Sequence, residues 1–417
     1  MSDFESVFLR VLIQLVVIIA LSRLGAVLFR RLGHCEVVGE ITFGLLIGPS
    51  VLGRLFPEIL QNLFPVETLP ILRSISEIGL IFLMFLIGIE FDFSHLKGVG
   101  RTAVSVAAAG CLLPLSLGIL TALAIHPRIA ADFDRTGFTL IVAVALSITA
   151  IPILGRIMTD FHMHQTPVGT LTITAAAIDD VLGWILLGTV SAVIRGRLEL
   201  TMISRMLLLT TAFVVLTVHF GRMIQRNIRR WPAILHEGQL TPTGLAVTFC
   251  LILLSAAATS LIGIFSVFGP FVLGASLSGS PVLKASCERH MKSFVSYFFL
   301  PVFFTFTGLR TNAGSLQTAD EWLACGLLLT AAVVGKIVGC GGAARLGGYS
   351  WRECGCVAVM MNTRALMGLI TINVGRDLGV IPESVFCMLV IMAVATTLPT
   401  SPVLRRLISG DREVGPG

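Results

Sequence analysis

Charge is what this sequence has least of. Asp, Glu, Lys and Arg make up 13% of its 417 residues, about half the share of an ordinary soluble domain, and lysine occurs only at Lys97, Lys284, Lys292 and Lys336. A soluble globular fold is excluded, because too few polar side chains are present to cover one. Nucleic-acid binding is excluded as well: the net charge of +6 comes from Lys and Arg in short connections between apolar runs, not from a basic face interleaved with aromatic residues. No His, Cys and carboxylate cluster has the spacing of a metal site, and the 9 Cys are scattered, the one close pair, Cys354 and Cys356, lacking a CxxC spacing. Gly335-Lys336 lacks the upstream glycines and the following Ser or Thr of a phosphate loop, and no serine-nucleophile motif is present. No cofactor and no resident metal ion are expected. At the N-terminus Asp3 and Glu5 precede the first apolar run in place of a basic region, so that run is expected to stay in the protein.

What is present is long hydrophobic sequence. Hydrophobic residues account for 55% of the chain, mean hydropathy is +0.91, and the apolar runs recur at roughly the length that crosses a bilayer's hydrocarbon layer as a helix. The pattern predicts an all-α polytopic membrane protein with about thirteen spans, at 8–30, 36–53, 68–91, 102–125, 137–158, 167–194, 203–221, 242–262, 264–280, 291–309, 322–345, 354–375 and 384–404. When alternate connections are assigned to opposite sides, Arg30, Arg31, Arg226, Lys284, Lys292, Arg405 and Arg406 share the more basic side, against Arg54, Arg128 and Arg376 on the other. The positive-inside rule then places the N-terminus outside and the C-terminus, with a short tail over 405–417, in the cytoplasm. The longest hydrophilic connection, roughly Arg222 to Gln239, follows a joining helix over 203–221 and separates a first six-helix repeat (8–194) from a second (242–404) of inverted topology. The whole chain reads as one transmembrane domain.

Both repeats are interrupted by polar residues at their fifth or sixth span. Span five holds Ser147-Ile148-Thr149-Ala150-Ile151-Pro152, in which Pro152 lacks an N–H and disfavours a helical Ile151. Span twelve holds Asn362-Thr363-Arg364, then Thr371 and Asn373. Interruptions at matching positions of two halves point to a transport site at the bilayer midplane.

Ionisable groups inside spans need a partner or a water-filled cavity. Asp179 and Asp180 stand near the middle of span six, too deep to snorkel, and as helical neighbours they point about 100° apart, so one can face a partner helix while the other faces a cavity. Lys336 lies deep in span eleven within Val334-Gly335-Lys336-Ile337-Val338-Gly339. Its flanking glycines would admit another helix and let the ammonium reach one of the two aspartates. Arg364 and Glu77 are weaker candidates for lining or compensating the site; Glu77, like Glu40 and Arg73, also stands near enough to a span end to be an interfacial charge.

These residues resemble the monovalent cation:proton antiporter-2 family. Besides the deep Asp179-Asp180 pair, the break at Pro152 and Gly335-Lys336, the matching strings are Val37-Val38-Gly39-Glu40, Gly48-Pro49-Ser50-Val51-Leu52-Gly53, Glu77-Ile78-Gly79-Leu80, Val267-Phe268-Gly269-Pro270-Phe271-Val272-Leu273-Gly274 and Leu300-Pro301-Val302-Phe303-Phe304. Asn362-Thr363-Arg364-Ala365-Leu366-Met367 looks most like the cation/proton exchanger branch and its bacterial relatives; Gly368 departs from that branch, where an acid is usual. The resemblance implies the sodium/proton antiporter fold, with inverted repeats, crossed broken helices, a homodimer and elevator-type alternating access. It assigns cation and proton binding to Asp180, a pairing with Lys336 to Asp179, and the crossing to Thr149 through Pro152 with a counterpart near Thr363.

The residues themselves agree with that chemistry. Burial disfavours the charged form of a carboxylate and of a lysine alike, so both types can exchange protons. A hard cation needs several oxygens in place of its water, and Asp180, carbonyls freed by the break and the Ser147 and Thr149 hydroxyls would supply them; the only metal expected is this transported alkali ion. The expected activity is exchange of Na+ or K+ for H+ in the cell membrane, by a transporter and not an enzyme, with proton and cation competing for Asp180. Three rivals remain open at this stage: a proton-coupled exporter of an organic cation, an uncoupled channel or sensor of the same fold, for which Gly368 is the best argument, and an intramembrane aspartyl protease. The last needs two aspartates facing one another, which neighbours on one helix do not.

Overall fold

The computed structural model describes residues 3–90, 96–163, 166–194, 200–228, 234–236 and 239–409. Among the described residues, eleven helices are long and apolar enough to cross a membrane, and two shorter apolar helices, Arg135–Ser147 and Phe268–Leu277, occupy the two remaining predicted windows. Two details differ from the sequence pattern. The end of the second predicted span and the connection after it hold short helices at Leu52–Leu55 and Pro57–Leu63, the second started by Pro57 in its first turn, where a missing N–H needs no partner. The hydrophilic connection carries a short antiparallel pair, Leu235–His236 with Gln239–Leu240; its residues 229–233 and 237–238, like 410–417 of the tail, lie outside the described residues.

The chain divides into two compact units, each drawn from both halves of the sequence. The first comprises 1–19, 65–93 and 195–306. In it Leu69–Glu90 packs against Phe268–Leu277 at a distance that only glycine allows: a Cβ on Gly88 would run into the Phe271 carbonyl, and one on Gly274 into the Phe85 carbonyl. Small residues of this kind give helices in lipid their close packing. The span that begins at Pro281 contains two π-helical turns, Glu288–Lys292 and Val295–Phe299, and Lys292 pairs with Glu90 at 2.6 Å.

The second unit comprises 20–64, 94–194 and 307–417. Its framework is Leu96–Ile129 packed against the helix that carries Lys336, Ala319–Leu346. The glycines beside Lys336 face this neighbour: a Cβ on Gly335 would lie 2.8 Å from Pro114 Cα, and one on Gly339 2.5 Å from the Ala109 carbonyl oxygen. The starts of Ala319–Leu346 and Trp351–Met361 are fixed by capping boxes, Thr318 with Glu321 and Ser350 with Glu353, each satisfying two N–H groups that a helix start leaves open. The aspartates ride on an unbroken helix, Pro167–Ile194, which packs against Leu96–Ile129, Arg135–Ser147 and Trp351–Met361.

Two spans of this unit are broken. The first is Arg135–Ser147, then Ile148 to Ala150 outside any helix, then Ile151–Asp160. Asp134 caps the start, accepting from Gly137 N at 2.6 Å. The break falls just ahead of Pro152, which is the second residue of the new half-helix and so stands where its missing N–H is tolerated. The second broken span runs Trp351–Met361, then Asn362 to Arg364, then Ala365–Asp377.

Candidate functional site

The two breaks are bonded to each other. Ala150 N donates to the Thr363 carbonyl at 2.8 Å, and the Thr149 hydroxyl donates to the Met361 carbonyl at 3.0 Å. Each interruption thereby supplies partners for backbone groups that the other leaves without a helical bond, which is the condition for non-helical chain at membrane depth.

The buried ionisable groups collect around this crossing. Lys336 Nζ donates to Asp179 Oδ2 at 2.8 Å and to Thr149 Oγ1 at 2.7 Å, with Lys336 at 0% and Asp179 at 1% exposure. Thr149 is therefore the joint of the network: its single proton goes to Met361 and one of its lone pairs takes Lys336. Arg364, also fully buried, sends Nη1 to the Leu146 carbonyl and, at 3.5 Å, to that of Ala145, and Nη2 to the Ala332 carbonyl at 2.7 Å. Ala145 and Leu146 close the half-helix Arg135–Ser147, so the guanidinium meets carbonyls with no onward helical bond and the negative end of the helix dipole. Ala332 is one turn before Lys336, so both cations anchor to the same stretch of one helix.

Asp180 stands apart from these pairings. It is 0% exposed, and neither carboxylate oxygen has a hydrogen-bond partner among the described residues. A buried carboxylate without a protein partner is costly. Among the charged side chains at this crossing it is the one with no hydrogen-bond partner on either oxygen among the described residues.

The remaining sequence candidates fall into place as follows. The Ser147 hydroxyl donates to the Val144 carbonyl at 2.9 Å and that of Thr363 to Met360 at 2.8 Å; both side chains are fully buried at the breaks. Glu77 is not in this unit: it forms an exposed i,i+4 pair with Arg73 at 2.8 Å, away from the buried face of its helix. Gly368 is not demanded by space, since a Cβ there would make ordinary contacts with Arg364 Cβ at 3.5 Å and Ala393 Cβ at 3.9 Å. Two further residues stand out in three dimensions. Trp184 Nε1, one turn beyond Asp180, and Asn362 Oδ1, at the second break, are buried without partners among the described residues. The interrupted motif signalled Asn362; in sequence Trp184 is one more apolar residue of its span.

Comparison with known proteins agrees with this architecture. A family model described as sodium/hydrogen exchanger, transmembrane, matches residues 16–407. The Na(+)/H(+) antiporter NhaS4 of Synechocystis is 37% identical over 405 residues, 96% of this chain and 97% of that one. Cation/H(+) antiporter 18 of Arabidopsis thaliana is 34% identical over 94% of this chain, which spans only 48% of the plant protein's length. The sodium proton antiporter MjNhaP1 of Methanocaldococcus jannaschii shares the fold, with a TM-score of 0.64 at 18% identity over 100% of both chains. With a matching family model over nearly the whole sequence and a full-length relative above one third identity, this chain belongs to the transmembrane sodium/hydrogen exchanger family of secondary transporters.

Proposed function

We propose that this protein exchanges Na+ or K+ for H+, with the two cargoes competing for the carboxylate of Asp180. The observation that carries the proposal is the contrast between the neighbouring aspartates: Asp179 is bonded to Lys336, whereas Asp180 is fully buried with both oxygens free of partners among the described residues. A proton neutralises such a group, and so does an alkali cation. If only a loaded carboxylate lets the site cross the membrane, the proton gradient drives the cation the other way and no nucleotide is needed.

In this account each neighbour has a separate task. Asp179 and Lys336 form a charge-balanced pair beside the exchange site and a second place where a proton is held or released. Thr149 ties that pair to the crossing. Arg364 neutralises the open end of Arg135–Ser147, so that the break persists without water on its carbonyls. All of these residues belong to one compact unit, which supports elevator-type movement of a unit that carries its site intact. The homodimer, the cell-membrane location and the orientation with the N-terminus outside and the C-terminus in the cytoplasm are part of the same proposal, the orientation resting on the distribution of Lys and Arg.

The test is dequenching of a pH-sensitive dye in proton-loaded vesicles on addition of Na+, K+ or Li+. The wild type should dequench with at least one alkali cation and Asp180→Asn with none. Protein present in the membrane but silent to all three between pH 6 and 9 would overturn the proposal and favour an organic cation as cargo.

A further inference from the structure

The hydroxyls around the crossing and the Thr363 carbonyl each have a hydrogen-bond partner. Hydroxyls of Ser147, Thr149 and Thr363 donate to the carbonyls of Val144, Met361 and Met360, and the Thr363 carbonyl accepts from Ala150. Of the side chains flanking the two breaks and the aspartate pair, four oxygens are buried without a partner among the described residues: Oδ1 of Asp179, both oxygens of Asp180, and Oδ1 of Asn362. Three belong to the carboxylates already discussed. The fourth belongs to a neutral amide that the exchange scheme does not use.

Asn362 is 7% exposed. Leaving such an amide oxygen without a hydrogen bond costs on the order of 1 to 3 kcal/mol, so its presence calls for a reason. Backbone geometry does not supply one. Asparagine is common just past helix ends because it tolerates the left-handed conformation, but Asn362 has φ −84° and ψ 0°, which any residue adopts. Nor is its side chain a cap, because the helix end is closed by its main-chain N–H to Ala358 and Val359. A chain of bonds links its backbone neighbour to the aspartates: the preceding Met361 carbonyl binds Thr149, Thr149 binds Lys336, and Lys336 binds Asp179, the neighbour of Asp180. The helix that ends at Asn362 also packs against the aspartate helix.

We infer that Asn362 Oδ1 is a neutral ligand of the transported alkali cation, completing with the Asp180 carboxylate an oxygen set that replaces part of the ion's water. This inference rests on the reading of Asp180 as the exchange site. An amide oxygen is a good donor to a hard cation and takes no proton at any working pH, so it serves the cation half of the cycle alone. Competition at Asp180 makes the two cargoes alternatives; Asn362 sets which alkali ion is worth binding and how tightly.

That division of labour gives the test. In proteoliposomes at fixed pH, Asn362→Ala should raise the KM for the transported cation by about tenfold or more and alter the order of preference among Li+, Na+, K+ and Rb+, with kcat held within about twofold. Asn362→Asp, which keeps the oxygen and adds charge, should restore or tighten cation binding and slow turnover. Cation-dependent protection against heat in detergent provides a second readout, with Asp180→Asn in parallel. The midpoint of protection should move to higher cation concentration in Asn362→Ala and protection should vanish in Asp180→Asn. A wild-type KM, midpoint and ion order in Asn362→Ala, while Asp180→Asn loses protection, would overturn this inference alone. Retained protection in Asp180→Asn would remove the Asp180 reading and this one with it. An Asn362→Ala protein that melts early and loses kcat and affinity together, unrescued by Asn362→Asp, would mark a structural residue and would also overturn the inference.

Discussion

Lys336 and Asp179 form a buried ion pair, Nζ to Oδ2 at 2.8 Å, between the helices Ala319–Leu346 and Pro167–Ile194. Desolvating both charges consumes most of what their attraction returns, so the pair adds little net stability while intact and exacts a large penalty when one member is removed. Lys336→Met or Asp179→Asn alone should each lower the melting temperature in detergent markedly, consistent with the ~3–5 kcal/mol found when one partner of a buried pair is deleted. Combining the two should lose much less than the sum. A double-mutant cycle of melting temperatures checks this; strict additivity would mean that the pair does not couple.

Asp180 predicts the opposite behaviour. Because neither of its oxygens bonds to the described residues, Asp180→Asn removes a buried charge without breaking a contact. It should melt at or above the wild-type temperature while abolishing exchange. Comparing melts of Asp180→Asn and Asp179→Asn separates the two aspartates without reference to transport, and equal destabilisation by both would contradict the arrangement described.

Arg364 spans three carbonyls on two helices with a planar fork. A lysine keeps the charge but presents a single compact head group, and cannot hold both helices in the same way. Arg364→Lys should therefore be destabilised, by roughly the 1.5 to 3 kcal/mol of one charged hydrogen bond, and Arg364→Gln more so because the carbonyls of Ala145 and Leu146 also lose their compensating charge. Melting temperature, with backbone hydrogen exchange at 143–150 as the local readout, checks the order wild type, Lys, Gln.

Much of this site was legible in the sequence because charge is rare there. Asp179, Asp180, Lys336 and Arg364 are conspicuous against apolar neighbours, and the glycines beside Lys336 announced a close helix. What the sequence does not carry is direction. Glu77 and Asp180 both read as acids in apolar windows, yet one lies on an exposed face, bonded to Arg73 four residues back, and the other is fully buried; hydropathy has no term for the face. The position of the first break was read from Pro152, but the chain leaves the helix at Ile148 to Ala150, where Thr149 and Ala150 find partners on the other break. Those bonds span more than 200 residues of sequence, so no local rule contains them. Asn362 showed itself only as part of a polar interruption; that its oxygen lacks a partner is a tertiary fact.

The glycines around Lys336 provide a test of how tightly the pair is positioned. Gly335 lies against Pro114, whose Cα would be 2.8 Å from an added Cβ, and a backbone atom cannot give way as a flexible side chain can. Gly335→Ala must therefore push Leu96–Ile129 and Ala319–Leu346 apart, at the cost of about 1–3 kcal/mol typical of overpacking, and the displacement falls on the residue next to Lys336. On the same helix, a Cβ added at Gly326 would meet nothing within 4 Å, so Gly326→Ala serves as the control and should be neutral or slightly stabilising, as alanine loses less backbone freedom in a helix than glycine. Gly335→Ala should both melt earlier and exchange more slowly, with Gly326→Ala unchanged in exchange rate. Equal behaviour of the two substitutions would mean that the helix pair can separate without disturbing Lys336, and that the close packing on this face does not position the charge.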